Sequence, residues 1–273
     1  MSYYQILGLE KEPFSTSPDP DFFYQSQEHQ AALTRLMIEI RLRRGLSVIL
    51  GDVGTGKTTL SRKLFQMMKE RQAMLFFMIL DPTYETEEVF LDSLLRTFHV
   101  NLDKPNPSLL DMKDAIKKYL FQKGVQENKT VILLIDEAQK LNQPTLEILR
   151  VLLNYETNEY KLLQLVLLSQ LELLPKIREM KNLMDRISMK YIINPLDDNE
   201  TREMIEFRIK QAGYRSNIPL FKDEAIMEVY QQTQGYPRRI SMLCHNTLKN
   251  LVMENKIIVD RDIVRKAASE QVI

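Results

Sequence analysis

With 273 residues, 44% of them hydrophobic and 27% charged, the chain is long enough for one large domain or two modest ones and apolar enough to bury a core. Its 37 basic and 37 acidic residues cancel, so no global field draws it to nucleic acid or to an anionic membrane, although a neutral sum is compatible with a local basic face. The single cysteine, Cys244, excludes an intrachain disulfide and any multi-cysteine metal site, and its apolar-periodic surroundings predict a small core residue.

Residues 1–25 combine Pro13, Pro18 and Pro20 with aromatic side chains from Tyr3 to Tyr24, which predicts an irregular arm that packs its rings against something. The start, Met-Ser-Tyr-Tyr-Gln, has no basic segment followed by an apolar one, so no secretory signal is read. No stretch approaches the roughly 18 to 20 uninterrupted apolar residues that cross a bilayer. The expectation is a cytoplasmic chain, with peripheral docking at the inner membrane left open. Leu33, Leu36, Met37 and Ile40 fall at helical spacing within Glu28–Leu42, and Arg41, Arg43 and Arg44 suit the C-terminal dipole of that helix.

From Leu46 the pattern alternates between strand-sized apolar runs and amphipathic stretches. Strands are predicted at Leu46–Leu50, Met74–Leu80, Thr130–Ile135 and Leu162–Ser169, with a weaker one at Met189–Ile193. Helices are predicted at Lys57–Glu70, Glu87–Phe98, Leu109–Gln122 and Gln143–Asn154. Alternation of this kind points to an α/β fold, a parallel sheet covered on both faces. After Pro195 the strand signals stop. Asp198–Gln211, Lys222–Thr233, Pro237–Glu254 and Asp260–Glu270 read as helices, with Asp260 as an N-cap and Pro237 in a first turn. The expected division is an arm and helix packing on the core over 1–45, an α/β nucleotide-binding domain over 46–195 and a small all-helical lid over 196–273.

Gly51-Asp52-Val53-Gly54-Thr55-Gly56-Lys57-Thr58 matches G-x-x-x-x-G-K-[ST], follows a predicted strand and opens a predicted helix. Such a loop curls so that successive N–H groups face a phosphate beside a helix N-terminus that already favours anions. Its expected roles are a phosphate cradle from Gly51 to Thr59, a positive charge from Lys57 on the β- and γ-phosphates, and a Mg²⁺ ligand in the Thr58 hydroxyl. The run Val131–Ile135 leads straight into Asp136-Glu137, two carboxylates outside the C-terminal end of a buried strand, where open α/β sheets bind ligands. Asp136 is expected to hold Mg²⁺ through its water shell and Glu137 to orient the water that attacks the γ-phosphate. A carboxylate in that place, and the lack of a guanine-reading N-K-x-D motif, favour ATP over GTP.

Phe22-Phe23-Tyr24, Glu28-His29, Gly51–Thr59, Asp136-Glu137-Ala138-Gln139 and Gly235-Tyr236-Pro237-Arg238-Arg239 occur in an order that resembles the bacterial AAA+ ATPases of the general secretion pathway protein A (ExeA-like) group. The opening, with Gly8-Leu9, Pro13-Phe14 and Pro18-Asp19-Pro20, looks like theirs too, and the core is more distantly similar to ATPases that select targets for DNA transposition. The resemblance implies a P-loop three-layer core with a helical lid. It implies further roles for residues after Leu162–Leu168: sensor 1 at Gln170, with Ser169 as the other candidate; an arginine finger at Arg186, with Arg178 as a competitor; and sensor 2 at Arg238, with Arg239 facing solvent. Glu28 and His29 fall where adenine contacts are implied. Asp81, at the end of Met74–Leu80, either restrains Glu137 in an off state or only forms a turn with Pro82.

ExeA-like proteins often continue into a transmembrane helix and a peptidoglycan-binding domain. This sequence shows neither, so a truncated form and an ATPase-only branch both fit. His29, His99 and His245 are too scattered to suggest a metal site, and the fourteen methionines fit core packing. The leading expectation is an ATP-dependent homo-oligomer, ring or filament, that remodels or assembles an envelope secretion or export system with a protein partner. The alternative is an ATP-dependent DNA-binding regulator of the transposition target-selection type. A nucleotide switch with negligible turnover fits poorly with an intact Glu137.

Overall fold

The computed structural model describes residues 2–17, 19–69, 71–102 and 104–270. Pro18, from the aromatic arm, and Glu70, the expected end of a helix, lie outside the described residues. In chain order the elements are α1 (Tyr3–Ile6), α2 (Gln27–Arg41), β1 (Leu46–Gly51), α3 (Lys57–Lys69), β2 (Met74–Ile79), α4 (Glu87–Thr97), α5 (Leu109–Phe121), β3 (Thr130–Ile135), α6 (Gln143–Leu152), β4 (Leu163–Ser169), α7 (Leu173–Glu179), α8 (Lys181–Met184), β5 (Ile187–Ile193), α9 (Asp198–Gln211), α10 (Asp223–Thr233), α11 (Pro237–Met253) and α12 (Arg261–Ser269).

The five strands form one parallel sheet in the order β2-β3-β4-β1-β5. The three inner strands, β3, β4 and β1, are buried at every position, as continuous apolar runs in a sheet covered on both faces must be. The edges look different. β2 is half-buried along most of its length, and β5 alternates buried Met189 with exposed Lys190. A strand with only one paired side, carrying charge, gives the weaker signal seen in its sequence.

Contacts divide the chain into two compact units. One comprises Gln30–Asp52 and Lys63–Ile193, the other Met1–His29, Val53–Arg62 and Asn194–Ile273. In the first, Phe90, Leu91, Leu94, Ile116, Leu120, Leu146, Leu149 and Leu152 from α4, α5 and α6 share a core with Val48, Leu133 and Leu165 of the sheet. Complete burial of side chains of this size contributes about 1.5–3 kcal/mol each. Side-chain caps fix where its helices begin: Thr86 accepts from Val89 N–H, and Ser108 and Asp111 cap each other reciprocally at the start of α5.

In the second unit, α9 to α12 bury Ile205, Val229, Cys244, Leu248 and Val264 together with Leu9, Phe14 and Phe22 of the arm. Within this unit the arm therefore packs on the C-terminal helices. Main-chain N–H groups of Glu10 and Lys11 donate to Ala212 O at 2.8 and 3.1 Å, and the Arg208 guanidinium donates to Ser15 O at 3.3 Å. Aromatic content predicts that an arm is buried but says nothing about what it is buried against. Asp260 caps α12 through Ile263 N–H, as its sequence position implies.

The link between α10 and α11 has unusual geometry. Gln234 and Gly235 take positive φ of 53° and 73°, and a Cβ on Gly235 would lie 1.8 Å from Leu196 O. That carbonyl belongs to a residue whose own N–H donates to Gly235 O at 2.9 Å. Only glycine fits there. The turn ends at Pro237, whose ring sits in the first turn of α11 where no N–H is needed.

Candidate functional site

The phosphate loop is the connection from Gly51, the last residue of β1, to Lys57, the first of α3. It has the expected strand–loop–helix form. Gly54 and Gly56 have φ of 87° and 97°, which lets the main chain curl there without a Cβ penalty. Thr55 and Lys57 are buried, Thr58 and Thr59 half-buried, and Val53 exposed.

Two neighbours hold this loop by its main chain. Arg238 N–H, at the start of α11, donates to Gly54 O at 3.2 Å, and a Cβ on Gly54 would come within 3.0 Å of the Arg238 Cβ. The Arg238 side chain itself is exposed, and Arg239 beside it lies over the Tyr236 ring at 4.7 Å. On the other side, His29 is 1% exposed and its Nε2 lies 2.9 Å from Thr55 O. A carbonyl only accepts, so Nε2 carries the proton. Nδ1, 2.8 Å from Ser26 Oγ, is then the acceptor, and Ser26 Oγ in turn accepts from His29 N–H at 3.3 Å. Burial pushes the imidazole below its ordinary pKa, partly offset by the hydrogen bond to Thr55, which keeps it neutral. Both ring nitrogens are used, so His29 braces the loop and has no ring nitrogen left to hydrogen-bond a base. The Phe23 ring packs edge-on to it at 4.9 Å.

At the end of β3, Asp136 N–H donates to Ile79 O at 2.8 Å and continues the pairing with β2 for one more residue. The Asp136 carboxylate is buried, and its Oδ1 accepts from Glu137 N–H at 2.9 Å. Glu137 takes φ 52° and ψ 36°. This left-handed conformation in a non-glycine residue costs on the order of 1–3 kcal/mol and clusters at functional positions. A short 3₁₀ turn, Ala138–Lys140, follows.

Gln139 Nε2 donates to Glu137 Oε2 at 2.6 Å, while its Oε1 accepts from Ser169 Oγ at 3.0 Å and from Gln170 N–H at 3.2 Å. Ser169 is thus committed to Gln139. The Gln170 side chain makes no hydrogen bond to the described residues. Asp81 does not reach Glu137: its carboxylate accepts from Thr83 Oγ1 at 2.8 Å and pairs with Lys140 at 3.2 Å, and these bonds lower its pKa. The restraint proposed for Asp81 is therefore absent, and the donor on Glu137 is one that sequence reading had not assigned. The only signal was a glutamine two residues after the glutamate, in Asp-Glu-Ala-Gln.

Arg186 follows α8. Its guanidinium donates to Asn154 Oδ1 and to Asn182 O. Arg178 on α7 is exposed and has no hydrogen bond or ion pair with the described residues. The Thr58 hydroxyl and the Asp136 carboxylate are each a hard oxygen donor of the kind Mg²⁺ takes, and Mg²⁺ bound to a nucleotide needs only one or two protein ligands because phosphates and water complete its shell, so the chemistry of each residue fits the metal. Among the described residues no helix is long and apolar enough to cross a membrane.

Comparison with known proteins agrees with this picture. The chain is 35% identical over 248 residues to general secretion pathway protein A of Aeromonas hydrophila, a match that covers 90% of this chain. The chain spans only 44% of that relative's length. Among solved structures, ORC2 of Aeropyrum pernix superposes with a TM-score of 0.66 at 18% identity, covering 96% of this chain and 72% of that one. Cdc6p of Pyrobaculum aerophilum gives a TM-score of 0.71 at 16% identity, covering 94% and 70%. At such identities these two likenesses speak for the fold alone. The family described as "AAA domain" matches residues 40–177, about half the chain. With a phosphate loop on β1 and an acidic pair on β3 of a five-stranded parallel sheet, the chain belongs to the AAA family of nucleotide-binding P-loop ATPases.

Proposed function

We propose that the chain hydrolyses ATP–Mg²⁺ between subunits of a homo-oligomer to assemble or remodel a bacterial cell-envelope secretion or export system. In this reading residues 46–195 form the nucleotide-binding domain and 196–273 the lid. The loop from Gly51 to Thr59 cradles the phosphates, Lys57 neutralises the β- and γ-oxygens, and Thr58 with Asp136 holds the metal. Mg²⁺ supplies charge stabilisation at the phosphates. Glu137 takes a proton from the water whose oxygen attacks the γ-phosphorus. The bond from that phosphorus to the bridging oxygen breaks, and ADP leaves with the electron pair. Gln170 senses the γ-phosphate from the same subunit and Arg238 from the lid. Arg186 exchanges Asn154 and Asn182 for the neighbouring subunit's nucleotide. The oligomer works at the cytoplasmic face of the inner membrane, peripherally, with an envelope protein as partner.

The observation that carries this reading is the seat of Arg238 on Gly54. A helix start bonded to the phosphate loop through its main chain is what a lid residue needs in order to respond to the nucleotide there. Likeness to general secretion pathway protein A over 90% of this chain supports the cellular role. The test is mass by light scattering with and without non-hydrolysable ATP, repeated for Arg186→Ala. Growth from monomer to a defined oligomer with ATP, and turnover lost in Arg186→Ala, is the expected result. A monomer under every condition would sink hydrolysis between subunits. ATPase activity stimulated by DNA and weakened steeply by salt would instead favour a DNA-binding regulator.

A further inference from the structure

Gln139 is 9% exposed and uses both ends of its amide. The Gln170 main-chain N–H can only donate, so the atom 3.2 Å from it must be the amide oxygen, and the amide nitrogen must face the other way. Ser169 Oγ, fully buried at the end of β4, donates to the same oxygen at 3.0 Å. The nitrogen, oriented by these two donors, meets Glu137 Oε2 at 2.6 Å. The Gln139 main chain is tied down as well. Its carbonyl accepts from Lys176 Nζ of α7 at 2.5 Å, and the same ammonium reaches Leu141 O at 3.2 Å. A turn three residues long is thus fastened at three points.

We propose that Gln139 is the positioning residue for Glu137: it grips Oε2, leaves Oε1 to the attacking water, and is locked against flipping by Ser169 and the Gln170 N–H. This rests on the reading of Glu137 as the general base. A flipped amide would turn its oxygen on the carboxylate and its NH₂ on two donors, so the end of β4 decides whether the base is held. Gln170 follows directly on that strand, and a γ-phosphate contact made by its side chain reaches Glu137 through one amide. Gln139 therefore makes the side-chain contact with the glutamate that Asp81, paired with Lys140, does not, and it serves to aim the base, not to switch it off.

The test uses the full chain with Gln139→Met, which keeps the length of the side chain and removes its amide, and Ser169→Ala, which removes one of the two donors that fix the amide. Gln139→Met is expected to lower kcat about 10- to 100-fold, less than the roughly 10²- to 10⁴-fold of a proton-transfer group itself because Gln139 acts only through Glu137, while the Kd for ATP stays within about twofold. Ser169→Ala should lower kcat by a smaller factor, roughly 3- to 10-fold, and it carries the test if Gln139→Met does not fold. Because Gln139 acts through Glu137, adding Gln139→Met to Glu137→Gln should cost nothing further. Two results would overturn the inference. One is kcat within twofold of the parent in the Gln139 and Ser169 variants while Glu137→Gln abolishes turnover; the other is a further loss in the double variant. Parent-like turnover in Glu137→Gln would instead remove the general-base reading itself.

Discussion

At the phosphate loop the supporting contacts end on main-chain carbonyls of the loop: Arg238 N–H on Gly54 O, and His29 Nε2 on Thr55 O. At the end of β3 they run through side chains, from Ser169 to Gln139 to Glu137. The loop's task is to present N–H groups to an anion, and N–H groups are aimed by fixing the backbone. The acidic end's task is to present one oxygen to a water, and that is aimed by fixing a side chain. Damage to the first should therefore appear in nucleotide affinity and damage to the second in turnover.

The largest expected effect lies behind the loop. Gly235→Ala sets a Cβ against Leu196 O in a turn with positive φ. It should cost roughly 3–5 kcal/mol, read as a lowered denaturation midpoint. A loss below about 1 kcal/mol would show that the turn presenting Arg238 has slack. Next, Gly54→Ala meets positive φ and the Arg238 Cβ at 3.0 Å. Isothermal titration should show ATP binding weakened about tenfold, or about 1.4 kcal/mol, with kcat at saturation changed less than threefold. A variant that binds normally and turns over slowly would break the contrast between the two regions.

A smaller effect follows from His29. Burial lowers its pKa in the folded protein, so at intermediate pH the unfolded chain binds the extra proton. The stability associated with a neutral His29 is complete above the unfolded value of about 6.5. It is lost as pH falls from there through the depressed folded value. Denaturation followed from pH 8 to pH 5 should show the decline, and His29→Gln should flatten it. An equal slope in the variant would assign the decline to other groups. The smallest effect is expected from Asp81→Ala. Its carboxylate is exposed and paired with Lys140, so turnover should stay within about twofold. A tenfold rise would restore Asp81 as a brake on Glu137.

Much of the α/β part is legible in the sequence, because its inner strands are unbroken apolar runs and its helices are long enough to show a period. β5 begins two residues before its apolar signal, since Ile187 pairs with Leu46 and Ser188 is skipped in the register at a sheet edge that makes no demand for a fully buried run. α7 and α8, seven and four residues long, escape notice because neither completes enough turns for a period to stand out. The phosphate loop is visible as a motif because its chemistry depends on glycine spacing. The Gln139 link is not visible, because it joins residues 30 apart in sequence through an amide whose orientation only the fold decides. The arm's destination is hidden for a similar reason. Leu9, Phe14 and Phe22 announce burial, while α9 to α12 supply the place.

Cys244 is fully buried among those helices, and burial pushes its thiol pKa far above the ordinary range. It is also the only cysteine in the chain. A thiol reagent added to the native protein therefore has one target, reached only when the helices around it open. Its labelling rate is a built-in clock for breathing of the C-terminal helices. No engineered probe is needed, and nucleotide can be added while the clock runs.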